Sequence, residues 1–240
     1  YLIPKEYSEI KYFLFDKKEI TDIEKEFTLP NETVKRDFES LVAKGISAIE
    51  NGDFQKVVLS RKESIDISDF DLVATFERMH QLYPATFTYC FFHPKVGTWL
   101  GATPEQLLKV DAEVFETVAL AGTQKNTGLE EVIWQDKEKE EQQFVTDYIV
   151  SELKKVAKSI VVSKPYSVKA GSIWHIKTDI SGQLKFTHNL KEVIDLLHPT
   201  PAVCGLPKLE SQQFILNNEK YDRTFYTGFL GEINSTISTK

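Results

Sequence analysis

Three features of the sequence predict an α+β fold of largely antiparallel sheets with surrounding helices. Strand-like segments come in runs, helical segments fall between those runs without strict alternation, and a long middle stretch has the period of two that belongs to half-buried strands. Taken in order, residues 12–15 read as a short strand. Asn31 or Thr33 can then cap a helix whose apolar stripe runs Val34, Phe38, Leu41, Val42, Ile46 and Ile49, and Asn51-Gly52 stops it. Residues 54–61 read as a buried strand. A helix over 71–82 follows, with Leu72, Val73, Phe76 and Met79 inward and Tyr83-Pro84 closing it. Between 86 and 120 the pattern turns to β. Segments 86–93, 98–101, 106–110 and 113–120 are each bounded by Pro, Gly or a polar turn, and are expected as antiparallel strands of one sheet. A long charged helix over 130–160 would bury Phe144, Val145, Ile149, Leu153, Val156 and Ile160. Residues 168–180 read as a strand, 189–197 as a short helix, 207–218 as a helix with Pro207 in its first turn, and 224–233 as the last strand. No repeat, low-complexity tract or linker divides the chain, so 1–240 is read as one continuous domain.

The 240 residues include 29 basic and 36 acidic side chains, for a net charge of −7, with no run of five Lys/Arg. Neither a nucleic acid nor a membrane is therefore an expected partner. Apolar runs such as 86–92 are too short to span a bilayer and the first residues do not resemble a signal peptide, so the expected location is cytoplasmic. Cys90 and Cys204 lie far apart with no Cys or His at metal spacing, which suits two free thiols. The sequence leaves the oligomeric state open, with a monomer as the default.

Lys56, within Phe54-Gln55-Lys56-Val57-Val58-Leu59-Ser60-Arg61, sits among β-branched residues of a buried strand. Loss of solvation lowers the pKa of such an amine and can make it a base near neutral pH, although a strand lysine can also simply face solvent. Gly101-Ala102-Thr103-Pro104-Glu105 sets a carboxylate directly after a proline-fixed turn, as a held acid or as a solvated strand start. Glu141 ends an acidic run and continues the buried stripe of its helix, where a hard cation such as Mg²⁺ or a lysine would be its partner. Ala121-Gly122-Thr123 closes a strand in a small turn whose N–H groups and Thr123 hydroxyl could hold a substrate oxygen. His175 lies on a strand in Trp174-His175-Ile176, and His198-Pro199-Thr200-Pro201-Ala202-Val203-Cys204-Gly205 is a proline-stiffened loop. Walker, dinucleotide-binding, Ser-His-Asp and HExxH patterns do not occur in the sequence.

Lys56-Val57-Val58-Leu59-Ser60-Arg61, Gly101-Ala102-Thr103-Pro104-Glu105, Leu120-Ala121-Gly122-Thr123, the acidic run ending at Glu141, Trp174-His175, His198-Pro199-Thr200-Pro201 and Asp222-Arg223 with Tyr226-Thr227-Gly228 together resemble, in order and spacing, the chorismate-utilising enzymes. That family includes isochorismate synthase, salicylate synthase and the large subunits of anthranilate and aminodeoxychorismate synthases. The resemblance implies the chorismate-binding fold, chorismate as substrate and Mg²⁺ as cofactor. It also implies that Lys56 is the base activating water for attack at ring carbon 2, since anthranilate synthases carry glutamine there. Ala121 stands where aminodeoxychorismate synthases carry a nucleophilic lysine, so no covalent amine adduct is expected. Ala202 within His-Pro-Thr-Pro-Ala is similar to isochorismate synthase, whereas salicylate synthases tend to have threonine. By the same resemblance Glu105 is the general acid for the departing 4-hydroxyl and Glu141 a Mg²⁺ ligand. Gly122 and Thr123 line the ring, and His175 and Tyr226 lie near the carboxylate and pyruvyl ends.

The resemblance implies an Mg²⁺-dependent isochorismate synthase, serving menaquinone or siderophore biosynthesis. The alternatives are a salicylate synthase, which goes on to eliminate pyruvate, and a truncated non-catalytic relative. The family's further arginine strand and Glu-rich helix do not occur within 233–240, its sheet is curtailed at the start, and its histidine after the metal glutamate is Gln142 here. The chain is accordingly expected to be truncated at both ends, to bind Mg²⁺ weakly, and to be inactive or barely active as such.

Overall fold

The computed structural model describes residues 32–126, 132–170, 173–185 and 190–233. The expected strand over 12–15 and the Asn31 cap lie outside these residues. In chain order the elements are α1 (Glu32–Glu50), β1 (Lys56–Val57), α2 (Leu72–Leu82), β2 (Phe87–His93) and β3 (Gly97–Thr103). Next come β4 (Lys109–Asp111), β5 (Val114–Lys125), α3 (Asp136–Val156), β6 (Ala157–Val162), β7 (Tyr166–Ala170) and β8 (Ile173–Leu184). The described chain ends with α4 (Leu190–Leu197), β9 (Gly205–Leu206) and α5 (Lys208–Asn218). Every pairing among the described strands is antiparallel, as expected for α+β.

The described residues form two compact units, one of Ile67–Thr103 and one of residues 32–66 with 104–233. In the first, Asp71 caps α2 by accepting from the Ala74 amide at 3.0 Å, and β2 and β3 make a hairpin. The strands between 86 and 120 therefore do not share one sheet: β2 and β3 pair with each other, while β4 and β5 belong to the second unit. Leu72, Phe76 and Met79 are partly covered, but Val73 is exposed because it falls to the side of that stripe.

The second unit is built on a five-stranded sheet in which β8 is central, with β5 along one edge and β6 then β7 in tandem along the other. Ser163 bridges the gap between those two, its amide donating to the Asp179 carbonyl at 2.9 Å and its hydroxyl accepting from the Asp179 amide at 2.9 Å. Gly182 permits the close β6–β8 approach, since a Cβ there would stand 1.9 Å from the Ser159 carbonyl oxygen. Phe115, Ala119 and Ala121 of β5 and Ile180 and Leu184 of β8 form one wall of the core. Val145, Ile149 and Leu153 of α3 and Val193 and Leu197 of α4 form the other.

Several boundaries differ from the expected ones. The helix expected over 130–160 spans only Asp136–Val156, because the β-branched run from Ile160 is taken up in the β8 ladder and Ala157 is already extended. The strand expected over 168–180 is a hairpin of two strands, β7 and β8, whose register brings Ala170 opposite Ile173. The stretch expected as a strand over 106–110 is laddered only from Lys109, and Leu107 is held instead by the Thr117 hydroxyl, which donates to its carbonyl at 2.6 Å. On α1 the buried positions are Gly45 and Ala48, with Phe38, Leu41 and Val42 half-buried, while Val34, Ile46 and Ile49 are exposed. A small residue faces inward because α1 lies against β1: a Cβ on Gly45 would be 3.4 Å from Val57 and 3.2 Å from Leu59. Residues 224–233 form no strand. Thr224 and Thr227 have positive φ (50° and 62°), and turn bonds run from Tyr226 N to Arg223 O and from Gly228 N to Phe225 O, so the chain folds back where a ladder would need it extended.

Candidate active site

All the candidate residues lie in the second unit. Lys56 starts β1, whose register sets it opposite Leu206 of β9, and its Nζ donates to Glu141 Oε1 of α3 at 3.3 Å. The Lys56 side chain is 12% exposed and that of Glu141 40%. Burial lowers the Lys56 pKa from the ordinary lysine range, and it outweighs the Coulombic and hydrogen-bond pull of Glu141 and the charge of Glu105. Glu105, half-buried on the segment before β4, is raised above the ordinary carboxylate range by burial, against the opposing pull of Lys56. Lys56 is thus bonded to one carboxylate and within electrostatic reach of another, the two brought from segments far apart in sequence. Burial lowers the pKa of the lysine and raises that of Glu105, the directions that acid–base work at such a pair requires.

Glu141 is held in place through its helix neighbour. Gln142 is buried, and its Nε2 donates to Thr146 Oγ1 at 2.8 Å and to Thr178 Oγ1 of β8 at 2.7 Å, which ties α3 to the sheet. Gly122 lies against the first turn of the same helix: with φ of +71°, a Cβ there would stand 3.0 Å from the Glu138 carbonyl oxygen.

Gly122 is also the extra residue of a bulge, because Ala121 pairs with Ile176 and Thr123 with the very next residue, His175. In an unbroken strand Ala121 and Thr123 would share a face. The bulge instead leaves Ala121 on the core face with Ile176 and brings Thr123 out beside His175. His175 Nδ1 lies 3.1 Å from Thr123 Oγ1 and 3.3 Å from the Gly122 carbonyl, and burial lowers its pKa against the raising effect of that carbonyl. The expected Gly122, Thr123 and His175 thus form one polar cluster. Tyr226 is exposed in the 224–227 turn, with the Arg223 guanidinium 5.9 Å from its ring centre.

Residues that sequence reasoning left without a role complete the setting of Lys56. Glu219, at the end of α5, accepts from the Ser60 amide (2.8 Å), the Ser60 hydroxyl (3.0 Å), Arg223 Nε (2.7 Å) and Arg223 Nη2 (2.5 Å). Arg223 also donates to the Val58 carbonyl at 2.8 Å and the Val203 carbonyl at 3.1 Å. The only signal in the sequence was the Asp222-Arg223 pair, quoted above without an assigned function.

A family model described as chorismate binding enzyme matches residues 5–239. The chain belongs to this chorismate-binding enzyme family. Isochorismate synthase MenF of Pasteurella multocida is 31% identical over 202 residues, covering 79% of this chain and 46% of MenF. Isochorismate synthase EntC of Escherichia coli is 28% identical over 233 residues, covering 92% of this chain and 58% of EntC. Among solved structures, DhbC from Bacillus anthracis superposes with a TM-score of 0.71 at 27% identity, over 82% of this chain and 58% of that one. Anthranilate synthase component I from Streptococcus pneumoniae superposes with a TM-score of 0.68 at 20% identity, covering 78% of this chain and 43% of that one, a likeness of fold alone. The chorismate-binding fold inferred from the motifs is thus the fold of this chain. The chain spans about half the length of the curated relatives it matches.

Within this family fold, no three His, Cys, Asp or Glu side chains among the described residues converge on one point. Mg²⁺ takes one or two carboxylates and fills its octahedron with water and substrate oxygens. Glu141 suits that role as a single carboxylate, with one oxygen engaged by Lys56 and much of its side chain open to solvent. No helix among the described residues is long and apolar enough to cross a membrane.

Proposed function

We propose that the protein is an isochorismate synthase, converting chorismate to isochorismate by attack of water at ring carbon 2 with loss of the 4-hydroxyl. One observation carries this reading: a buried Lys56 amine paired with Glu141 and within electrostatic reach of Glu105, with burial lowering the lysine and raising Glu105. Curated isochorismate synthases at 28–31% identity support it. Lys56 takes a proton from water as its oxygen bonds to carbon 2. Both ring double bonds shift, that between carbons 1 and 2 to carbons 1 and 6 and that between carbons 5 and 6 to carbons 4 and 5, the carbon 4–oxygen bond breaks, and Glu105 protonates the departing hydroxyl, which leaves as water. One water enters and one departs, so the sum is an isomerisation. Glu141 would hold Mg²⁺ with water and the substrate's ring carboxylate, and the bound ion offsets charge that an acidic chain would otherwise repel. Gly122, Thr123 and His175 would line the ring and its carboxylate, and Tyr226 the pyruvyl end. Chorismate and Mg²⁺ are thus the proposed small-molecule partners.

The test is product analysis on the full-length protein with chorismate and Mg²⁺. Isochorismate as product, and a loss in Lys56→Ala of about 100-fold or more in kcat, are expected. Fluorescent salicylate with free pyruvate would show the salicylate synthase reaction instead, and full turnover in Lys56→Ala would remove the base assignment.

A further inference from the structure

The strand that carries Lys56 is very short. Regular pairing of β1 with β9 covers Lys56 with Leu206 and Val57 with Gly205, flanked by bonds from Gln55 N to Leu206 O and from Val58 N to Cys204 O. Beyond that point side chains take over. The Ser211 hydroxyl of α5 donates to the Lys56 carbonyl at 2.9 Å, Arg223 Nη2 donates to the Val58 carbonyl at 2.8 Å, and the Ser60 amide donates to Glu219 Oε1 at 2.8 Å. These contacts fall on residues 56, 58 and 60, the every-second-residue spacing of one strand edge. Arg223 bridges both chains where the ladder ends, with Nη2 on the Val58 carbonyl and Nη1 on the Val203 carbonyl at 3.1 Å. Its fork is oriented by two bonds to Glu219, whose side chain is 2% exposed.

We propose that Arg223, oriented by Glu219, is a positioning residue for Lys56: its guanidinium adds a rung to the β1–β9 ladder and so fixes the direction in which the Lys56 amine leaves the strand toward Glu141. Ser211 does the same from the other end, gripping the Lys56 carbonyl itself. The inference rests on Lys56 being the base of the proposed reaction. Arg223 acts through that lysine and touches no reacting atom.

The test uses the full-length protein and combines readouts with and without activity. In Arg223→Ala, hydrogen exchange of amides 55–60 is expected to accelerate on the order of 10-fold, with β5 and β8 unchanged. Trace acetylation of Lys56, read by mass spectrometry, is expected to rise several-fold. With chorismate, kcat is expected to fall about 100-fold at nearly constant KM, as for a misplaced catalytic group. Low millimolar guanidinium is expected to restore part of that loss, which a globally loosened fold would not allow. In a Lys56→Ala background the same substitution should cost nothing further. Should Arg223→Ala not fold, Ser211→Ala removes a single hydroxyl and should shift exchange and acetylation the same way. Unchanged exchange over 55–60, or a kcat loss that is additive with Lys56→Ala, overturns the proposal. Faster exchange and acetylation in a protein whose wild type leaves chorismate unconverted supports the clamp and rejects the isochorismate reading.

Discussion

Glu219 shows how one buried charge couples the site to pH. Burial raises its pKa, but hydrogen bonds from Arg223 and from the amide and hydroxyl of Ser60 outweigh that and hold it below the ordinary carboxylate range. A carboxylate depressed in the folded state adds stability above its unfolded pKa of about 4.3, and that stability is lost as pH falls through the folded value. Glu219→Gln should therefore flatten the acid limb of urea-unfolding stability below about pH 4. At neutral pH it should cost about 3 kcal/mol, because the Arg223 guanidinium is left buried beside a neutral amide. Gly205 is a second sensitive residue: a Cβ there would lie 2.2 Å from the Lys56 carbonyl oxygen and 2.5 Å from Ser211 Oγ. Gly205→Ala is expected to lower Tm by several degrees and to speed amide exchange at 55–60. Lys56, Glu105 and Glu141 stood out in the sequence as a strand lysine, a proline-fixed glutamate and a stripe-end glutamate, but each pattern alone also fitted an ordinary surface or paired residue, and only the ordered motifs singled them out. Ser60 and Glu219 did not stand out, since they meet across 159 positions and each alone is an ordinary polar residue.

At the level of elements, helix α3 is fixed to the sheet by a buried polar knot as well as by apolar packing. Gln142→Leu keeps the volume but leaves the hydroxyls of Thr146 and Thr178 without the bonds they accept from Nε2. The expected cost is about 1–3 kcal/mol in urea unfolding, with a matching loss of kcat as Glu141 shifts. Gly182→Ala should be worse, about 3 kcal/mol or more, since backbone cannot move aside as a side-chain tip can. The apolar stripe of α3 was readable from Val145 to Leu153, yet its end was not. Residues 157–160 continue a helical pattern on paper, and only the open edge of β8 decides that they become β6. The expected strand over 224–233 failed for the mirror-image reason: its composition suits a strand, but among the described strands none pairs with it.

For the molecule as a whole, the core lies in the second unit, between α3 with α4 and the inner face of β5 and β8. Hydrogen exchange should accordingly be slowest in β5 and β8 and much faster in α1 and α2, where α1 buries little apolar surface and α2 has no buried residue. Fold class and family were open to sequence reading because seven ordered motifs constrain the chain at once. The division into two units was not, since no shift in composition marks residues 66–67 or 103–104. The bulge at Gly122 carries one more consequence. Because the extra residue is itself unpaired, a one-residue deletion is better tolerated at this corner than in the regular part of β5, where it would turn the following side chains over. Removing Gly122 would leave Thr123 next to Ala121 and still opposite His175, so residues 123–125 would keep their faces and only the local bend against the first turn of α3 would be lost.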